Sequence, residues 1–292
     1  MKLIKPSFEI LEQESGLKGI YKQIEKVGRT CYKSEDKITD DSAEPFVDRM
    51  IKSKHLAMVE HGTIYLSIPI KFGNQSIVEE YLLNPHSRVG KDIENHLWCI
   101  TTNLRVLIEN NLMEDLQYIC EPTEHHVKRV TVKFICDRGV SHEFVRHRVF
   151  SFAQESTRYC NYSKDKFGNE LTFIIPCWSK AIEGNYGTLI EPLEIQFKEY
   201  DEDVFEMEFI NELINIEFRY MNILNAGYTP QQARAVLPNS LKTELVMTGF
   251  VDDWDHFFDL RTRGTTGAPH PQAKELAEPL LTEFIKRGIL SL

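Results

Sequence analysis

Hydrophobic residues recur along this chain in two rhythms. Over residues 129–136 they alternate strictly, with Val130, Val132, Phe134 and Cys136 on one side and Arg129, Thr131 and Lys133 on the other. That is the period of a half-buried strand. Residues 64–70 alternate similarly and predict a second strand. From Val204 to Leu224 the apolar positions Phe209, Leu213, Ile216, Tyr220 and Leu224 step by three and four, which predicts a helix buried on one face. Gly227 ends it, and Thr229-Pro230-Gln231-Gln232 opens the next helix with a capping box and a proline at the first helical position. Further helices are predicted over residues 19–26, 41–53, 140–150, 254–260 and 271–286, with a glycine-rich loop at 263–267 between the last two. Residues 71–127 read as an inserted mixture of helices and loops, whose first helix is broken at Asn84-Pro85-His86-Ser87. The fold class is α+β, with helices around an antiparallel sheet, and residues 1–292 form a single domain carrying that insertion.

Length alone would allow one large domain or two, and 42% hydrophobic residues are enough for a substantial core. A formal charge of −10 counts against a protein that lives on nucleic-acid backbone. The start Met1-Lys2-Leu3-Ile4-Lys5-Pro6 has no apolar signal region and no run is long enough to span a bilayer, so a cytoplasmic protein without a membrane partner is expected. The six cysteines are spread out with no Cys-x-x-Cys pair and read as reduced thiols, not metal ligands.

Against that acidic background stands Arg146-His147-Arg148, followed after seven residues by Ser156 and then Thr157 and Arg158. Crowded guanidiniums repel one another unless an anion neutralises them, and Arg grips phosphate through paired hydrogen bonds. The apolar residues around the run, Val145, Val149, Phe150 and Phe152 among them, favour a site, though a solvated basic patch stays open. His142-Glu143-Phe144-Val145-Arg146-His147 imitates a zinc-protease helix, but its histidines are five apart instead of four. No glycine-rich Rossmann turn or P-loop occurs, so side chains must hold any nucleotide: Arg146, Arg148, Arg158, Arg234 and Arg261 are the candidates. Ser156 lacks a local base and suits hydrogen bonding to phosphate or sugar, or a turn cap, better than nucleophilic attack. His55 to His61 reads alone as a pair of structural histidines. Arg234 and Arg261 each sit in an apolar run and need an anion, either a carboxylate (Glu244 for Arg234) or a ligand.

Together these segments resemble the flavin-dependent thymidylate synthase family. The resemblance rests on Arg146-His147-Arg148 with Ser156, Ser156-Thr157-Arg158-Tyr159, His55 to His61 ending in Glu60-His61, Ala233 to Pro238, and Leu260-Arg261, and it covers most of the chain outside 71–127. It implies methylation of dUMP at C5 to give dTMP, with methylenetetrahydrofolate as carbon donor, FAD as hydride carrier and NADPH as reductant, in a homotetramer whose sites lie between subunits. The implied dUMP set is Glu143, Arg146, Gln154, Glu155, Ser156, Thr157, Arg158, Arg234 and Arg261, with Arg261 stabilising charge on the uracil. The implied FAD set is His55, Glu60, Arg146, His147, Arg148, Gln154 and His256. No metal is implied.

The chain departs from the family pattern at Ala57, where Ser or Thr is common, at Glu143, where some members have Gln, and at Phe250, in place of Asn. His256 stands where Asn or His is usual, and a longer loop over residues 263–270 leaves the role of His270 open. Two rival readings are a phosphohydrolase using His147 as phosphoryl acceptor and a non-catalytic nucleotide- or RNA-binding module.

Overall fold

The structure is a computed structural model that describes residues 1–71, 73–187 and 202–291. Two strands, β1 (Lys2–Ile4) and β2 (Ser7–Leu11), lead into helices α1 (Gly16–Thr30), α2 (Ala43–Lys52) and α3 (Leu56–Val59). Next come β3 (Thr63–Pro69), α4 (Gln75–Leu83), β4 (Arg88–Asp92), β5 (Leu97–Asn103) and α5 (Leu104–Glu109). The central segment is β6 (Arg129–Asp137), α6 (Arg138–Phe144), β7 (Ser151–Gln154), β8 (Thr172–Ile174) and β9 (Gly184–Asn185). The chain closes with α7 (Glu202–Asn225), α8 (Pro230–Ala233), β10 (Lys242–Phe250), α9 (Val251–Phe258) and α10 (Pro271–Lys286).

The main sheet is antiparallel in the order β2-β6-β10-β7. As the alternation predicts, one face of β6 is buried: Val132, Phe134 and Cys136 are fully covered. They pack with Phe144 of α6, Trp254, Phe257 and Phe258 of α9 and Phe284 of α10. A Cβ on Gly249 would lie 2.5 Å from the Phe150 ring, so glycine there lets that ring reach Trp254, with centroids 4.7 Å apart. The capping box forms as read, with the Thr229 amide donating to Gln232 Oε1 at 3.0 Å. A third, mixed sheet, β8-β1-β9, packs with α7 through Leu3, Phe173, Leu213 and Tyr220.

Two expectations need correction. Residues 71–127 are not only helices and loops, because β4 and β5 pair with β3 in a three-stranded antiparallel sheet. This sheet shares a core with α1 and α2 through Ile20, Ile24, Phe46, Ile64, Tyr81 and Ile100. From Cys99 to Asn103, β5 is buried on both faces, so its sequence shows no alternation. Second, the helix expected over 140–150 ends at Phe144. The Asp137 carboxylate caps its start by accepting from the Val140 amide at 2.6 Å. Residues 145–150 then turn so that β7 can pair with β10, which leaves the basic run beyond the helix.

Candidate functional site

β7 divides the sequence motif. Arg146, His147 and Arg148 precede this edge strand, and Ser156, Thr157 and Arg158 follow it. With about 3.3 Å of rise per strand residue, the two halves emerge at opposite ends of an extended segment.

At the first end, α6, α9 and the segment after α9 enclose a cavity of 580 Å³ lined by Glu143, Arg146, His147, Arg148, His256 and Arg261. The loop containing Thr266, Gly267, Ala268, Pro269 and His270 forms one wall. Arg261 lies in a π-helical turn, Asp259–Arg263, a geometry often found at functional positions. Its guanidinium donates from Nε to His147 Nε2 at 3.0 Å, from Nη1 to Glu143 Oε2 at 3.0 Å and from Nη2 to the Glu143 carbonyl at 2.8 Å. Arg146 Nη1 lies 3.5 Å from the same Glu143 oxygen. Burial, reinforced by the charges of Arg261, His256 and Arg146, lowers the His147 pKa to about 4. A neutral ring that accepts at Nε2 carries its proton on Nδ1. Two Nη hydrogens of Arg261 are not used by these three bonds and can reach a ligand.

At the other end, the Ser156 amide donates to the Cys31 carbonyl at 3.0 Å and the Arg158 amide to Ser156 Oγ at 3.3 Å. Tyr159 packs against Tyr32 with centroids 5.2 Å apart, and the Arg158 guanidinium lies 5.3 Å from the Tyr159 ring. Tyr32 and Cys31 also line a second cavity, of 780 Å³, together with His55, Ala57, Met58 and Arg105. Thus His55 shares a region with Ser156, Thr157 and Arg158, while Arg146, His147, Arg148 and His256 share one with Glu143 and Arg261. Neither implied ligand set is complete in one cavity of a single chain.

Several candidates are held differently from the expectation. Glu60 is ion-paired with Arg105 and does not line either cavity. Gln154 is turned inward, donating to Ser141 Oγ at 2.8 Å and Thr243 Oγ1 at 3.2 Å. Glu155 is buried, with Oε1 accepting from the Tyr162 hydroxyl at 2.9 Å and Oε2 from Lys242 at 2.8 Å. Arg234 is exposed on a 3-10 turn, and Glu244 is not its partner: Glu244 accepts from Lys33 and Lys242, each at 2.7 Å. Burial alone would raise the Glu244 pKa, but these two ammonium groups outweigh it and lower the value to about 2. His61, the structural histidine of its pair, is buried with Nδ1 2.7 Å from Thr248 Oγ1. Sequence reading missed Lys33, Lys242 and Arg105, whose pairings with Glu244, Glu155 and Glu60 join residues far apart in sequence; Lys242 also pairs with Glu244, two residues on along β10.

Among the described residues, Arg148, Arg158 and Arg234 have no carboxylate within 4.0 Å, although the chain as a whole is acidic. Exposed guanidiniums left unneutralised in an acidic molecule suit phosphate groups.

The folded chain resists protonation at several of these groups. His147 titrates near 4 and burial lowers His61 to about 3, whereas the unfolded chain takes up these protons near 6.5. Their contribution is therefore complete above pH 6.5 and declines as pH falls towards 4, and Glu244 adds a further loss below its ordinary 4.5. Thermal unfolding across pH 7 to 4.5 should show a steadily falling Tm, with a shallower slope in His147→Gln. A flat profile would contradict these shifts.

Residues 99–287 match the profile of a family described as thymidylate synthase complementing protein. A flavin-dependent thymidylate synthase from Pyrococcus furiosus is 28% identical over 154 residues, 52% of each chain. One from Mycobacterium avium is 30% identical over 132 residues, 42% of this chain and 45% of the relative. The chain thus spans about half the length of the curated relatives it matches. Among solved structures, the UMP/dUMP methylase PolB from Streptomyces cacaoi, bound with 5-Br dUMP, aligns over 98% of this chain and 93% of its own, at 16% identity and a TM-score of 0.45.

Proposed function

This chain belongs to the thymidylate synthase complementing protein family, and from that membership we propose that it converts dUMP to dTMP by reductive methylation at C5. Methylenetetrahydrofolate is the carbon donor, FAD the flavin and NADPH the reductant in this reading. The observation that carries it is that Arg148, Arg158 and Arg234 have no acidic partner among the described residues, together with the Arg261 cluster.

The residues present fit a flavin nucleotide held without a Rossmann turn. Arg146 and Arg148, both exposed at the mouth of the first cavity, would take its phosphates, with His147 and His256 beside them and His55 contributed from the second region; Glu60 would join them only after leaving Arg105. FAD, when bound, supplies hydride transfer to this reaction. The backbone of Ser156 and Thr157 and the Arg158 guanidinium would hold the dUMP phosphate, with Arg234 supporting the nucleotide. Arg261 would face the uracil and stabilise negative charge that develops on the ring as C5 attacks carbon. Neutral His147 and Glu143 fix the plane of that guanidinium, and Glu143 and Arg146 would flank the base. Gln154, turned inward, would meet nucleotide or flavin only after leaving Ser141 and Thr243.

The separation of the motif across β7 supports a site assembled from several copies of the chain, and so a homotetramer. Each copy would contribute one half of a site from each end of β7. No helix among the described residues is long and apolar enough to cross a membrane, and we place the enzyme in the cytoplasm.

The phosphohydrolase reading is weaker, because the His147 nitrogen that would attack phosphorus already accepts from Arg261. The net charge of −10 opposes an RNA-binding module. For the favoured reading, Arg158→Ala should raise the dUMP Kd roughly ten- to hundredfold, as expected for one charge-assisted phosphate contact. It should leave flavin content, read from visible absorbance, unchanged. Lost flavin with intact dUMP binding would reverse the two assignments.

A further inference from the structure

We propose that Lys33 and Lys242 are positioning residues for the 155–158 loop, joined to Glu155 and Glu244 in a buried ionic network that fixes the loop's backbone. This inference rests on the reading above that Ser156, Thr157 and Arg158 hold the nucleotide phosphate. Lys242 Nζ donates to Glu155 Oε2 at 2.8 Å and to Glu244 Oε1 at 2.7 Å, and Lys33 Nζ reaches that same Glu244 oxygen at 2.7 Å. Glu155 and Glu244 keep only 1% and 8% of their side-chain surface exposed, so both need cationic partners, and Lys133 Nζ lies a further 3.8 Å from the other Glu244 oxygen. The Tyr162 hydroxyl completes the shell of Glu155.

The main chain is clamped at the same place. The Glu155 amide donates to the Glu244 carbonyl at 2.8 Å and the Ser156 amide to the Cys31 carbonyl at 3.0 Å. The first two residues of the loop are thereby wedged between the end of α1 and β10. Lys33 adds an independent sign. Its φ of 48° lies in the left-handed region, which favours glycine. A glycine would make that turn with less strain but would lack the ammonium that reaches Glu244. The Lys33 carbonyl is held as well, accepting from Lys166 Nζ at 2.9 Å. Neither lysine is assigned a contact with substrate. They act through the loop, where small displacements of a positioning group can cost up to about a hundredfold in rate or affinity.

The cleanest test is Lys33→Gly in the full chain loaded with FAD, because it preserves the turn while removing the charge. The expected result is a dUMP KM raised roughly tenfold with kcat largely retained and flavin absorbance unchanged. Amide hydrogen exchange over residues 155–160 should be faster, and Lys33→Arg should restore most of both effects. Lys242→Met should act in the same direction and more strongly. Unchanged dUMP KM and unchanged exchange in Lys33→Gly would overturn the proposal, as would a parallel loss of kcat and flavin, which marks a merely structural role. Should the unsubstituted protein form no dTMP, the functional reading fails, and the exchange measurement still decides whether these lysines order the loop.

Discussion

Arg261→Ala is expected to lose about a hundred- to a thousandfold in dTMP formation, the usual cost of removing one preorganised donor from a developing anion. The fold should survive. The substitution removes bonds to Glu143, whose side chain is 34% exposed and still has Arg146 nearby, and to His147. Losing them should cost roughly 1–3 kcal/mol. A further readout comes from His147: with the neighbouring positive charge gone, its pKa should climb from about 4 towards the ordinary 6.5. Arg261→Lys should recover little activity, since an ammonium cannot reproduce the three directed bonds that orient the guanidinium. Product formation and NMR titration of the histidine check both outcomes. Full activity in Arg261→Ala would refute the assigned role.

The largest stability effect is expected at Trp254. Its ring is fully buried and packs against Phe134, Phe150, Phe257, Phe258 and Phe284. Its indole nitrogen donates to the Val130 carbonyl at 3.1 Å. Trp254→Ala would open a cavity where α9 and α10 meet β6 and remove the indole's bond to that carbonyl. The cost should be about 3–5 kcal/mol, read as a drop in denaturant midpoint. Because α9 leads directly into the turn bearing Arg261, the variant should also lose activity at temperatures where it remains mostly folded. A loss below about 1 kcal/mol would mean that this aromatic cluster does not hold the site-bearing helix.

The parts of the fold that sequence made legible are those governed by a single local rule. The alternation of β6 survives because one of its faces is solidly buried, and the Thr229 capping box needs only residues within its own turn. The helix that was to carry Arg146 is different. Local pattern continues through Val145 and Val149, yet pairing of β7 with β10, nearly a hundred residues later, ends it at Phe144. Likewise β5 is invisible as alternation because both of its faces are covered. At the candidate site, residue types near the motif were readable, as was Arg261 as a candidate, but not the cavity that it shares with Arg146, His147 and Arg148. What was not readable is which charges cancel internally. Glu244 was a natural partner for Arg234, but the structure gives it to Lys33 and Lys242, leaving Arg234 exposed. Glu155, adjacent to Ser156, is likewise consumed by Lys242 and Tyr162. The pairings of Lys33 with Glu244 and of Lys242 with Glu155 depend on contacts across long sequence separations, for which neither periodicity nor spacing carries a signal.

The central claim is that these cationic halves, brought together from several copies of the chain, hold dUMP against a flavin. Incubation of the purified protein with dUMP, methylenetetrahydrofolate, FAD and NADPH, followed by chromatography of the nucleotides, tests it most directly. The account predicts dTMP in the complete mixture and none when dUMP, the folate or the reductant is left out. Release of deoxyuridine and phosphate, or dUMP recovered unchanged from a mixture in which the protein has bound flavin, would contradict it.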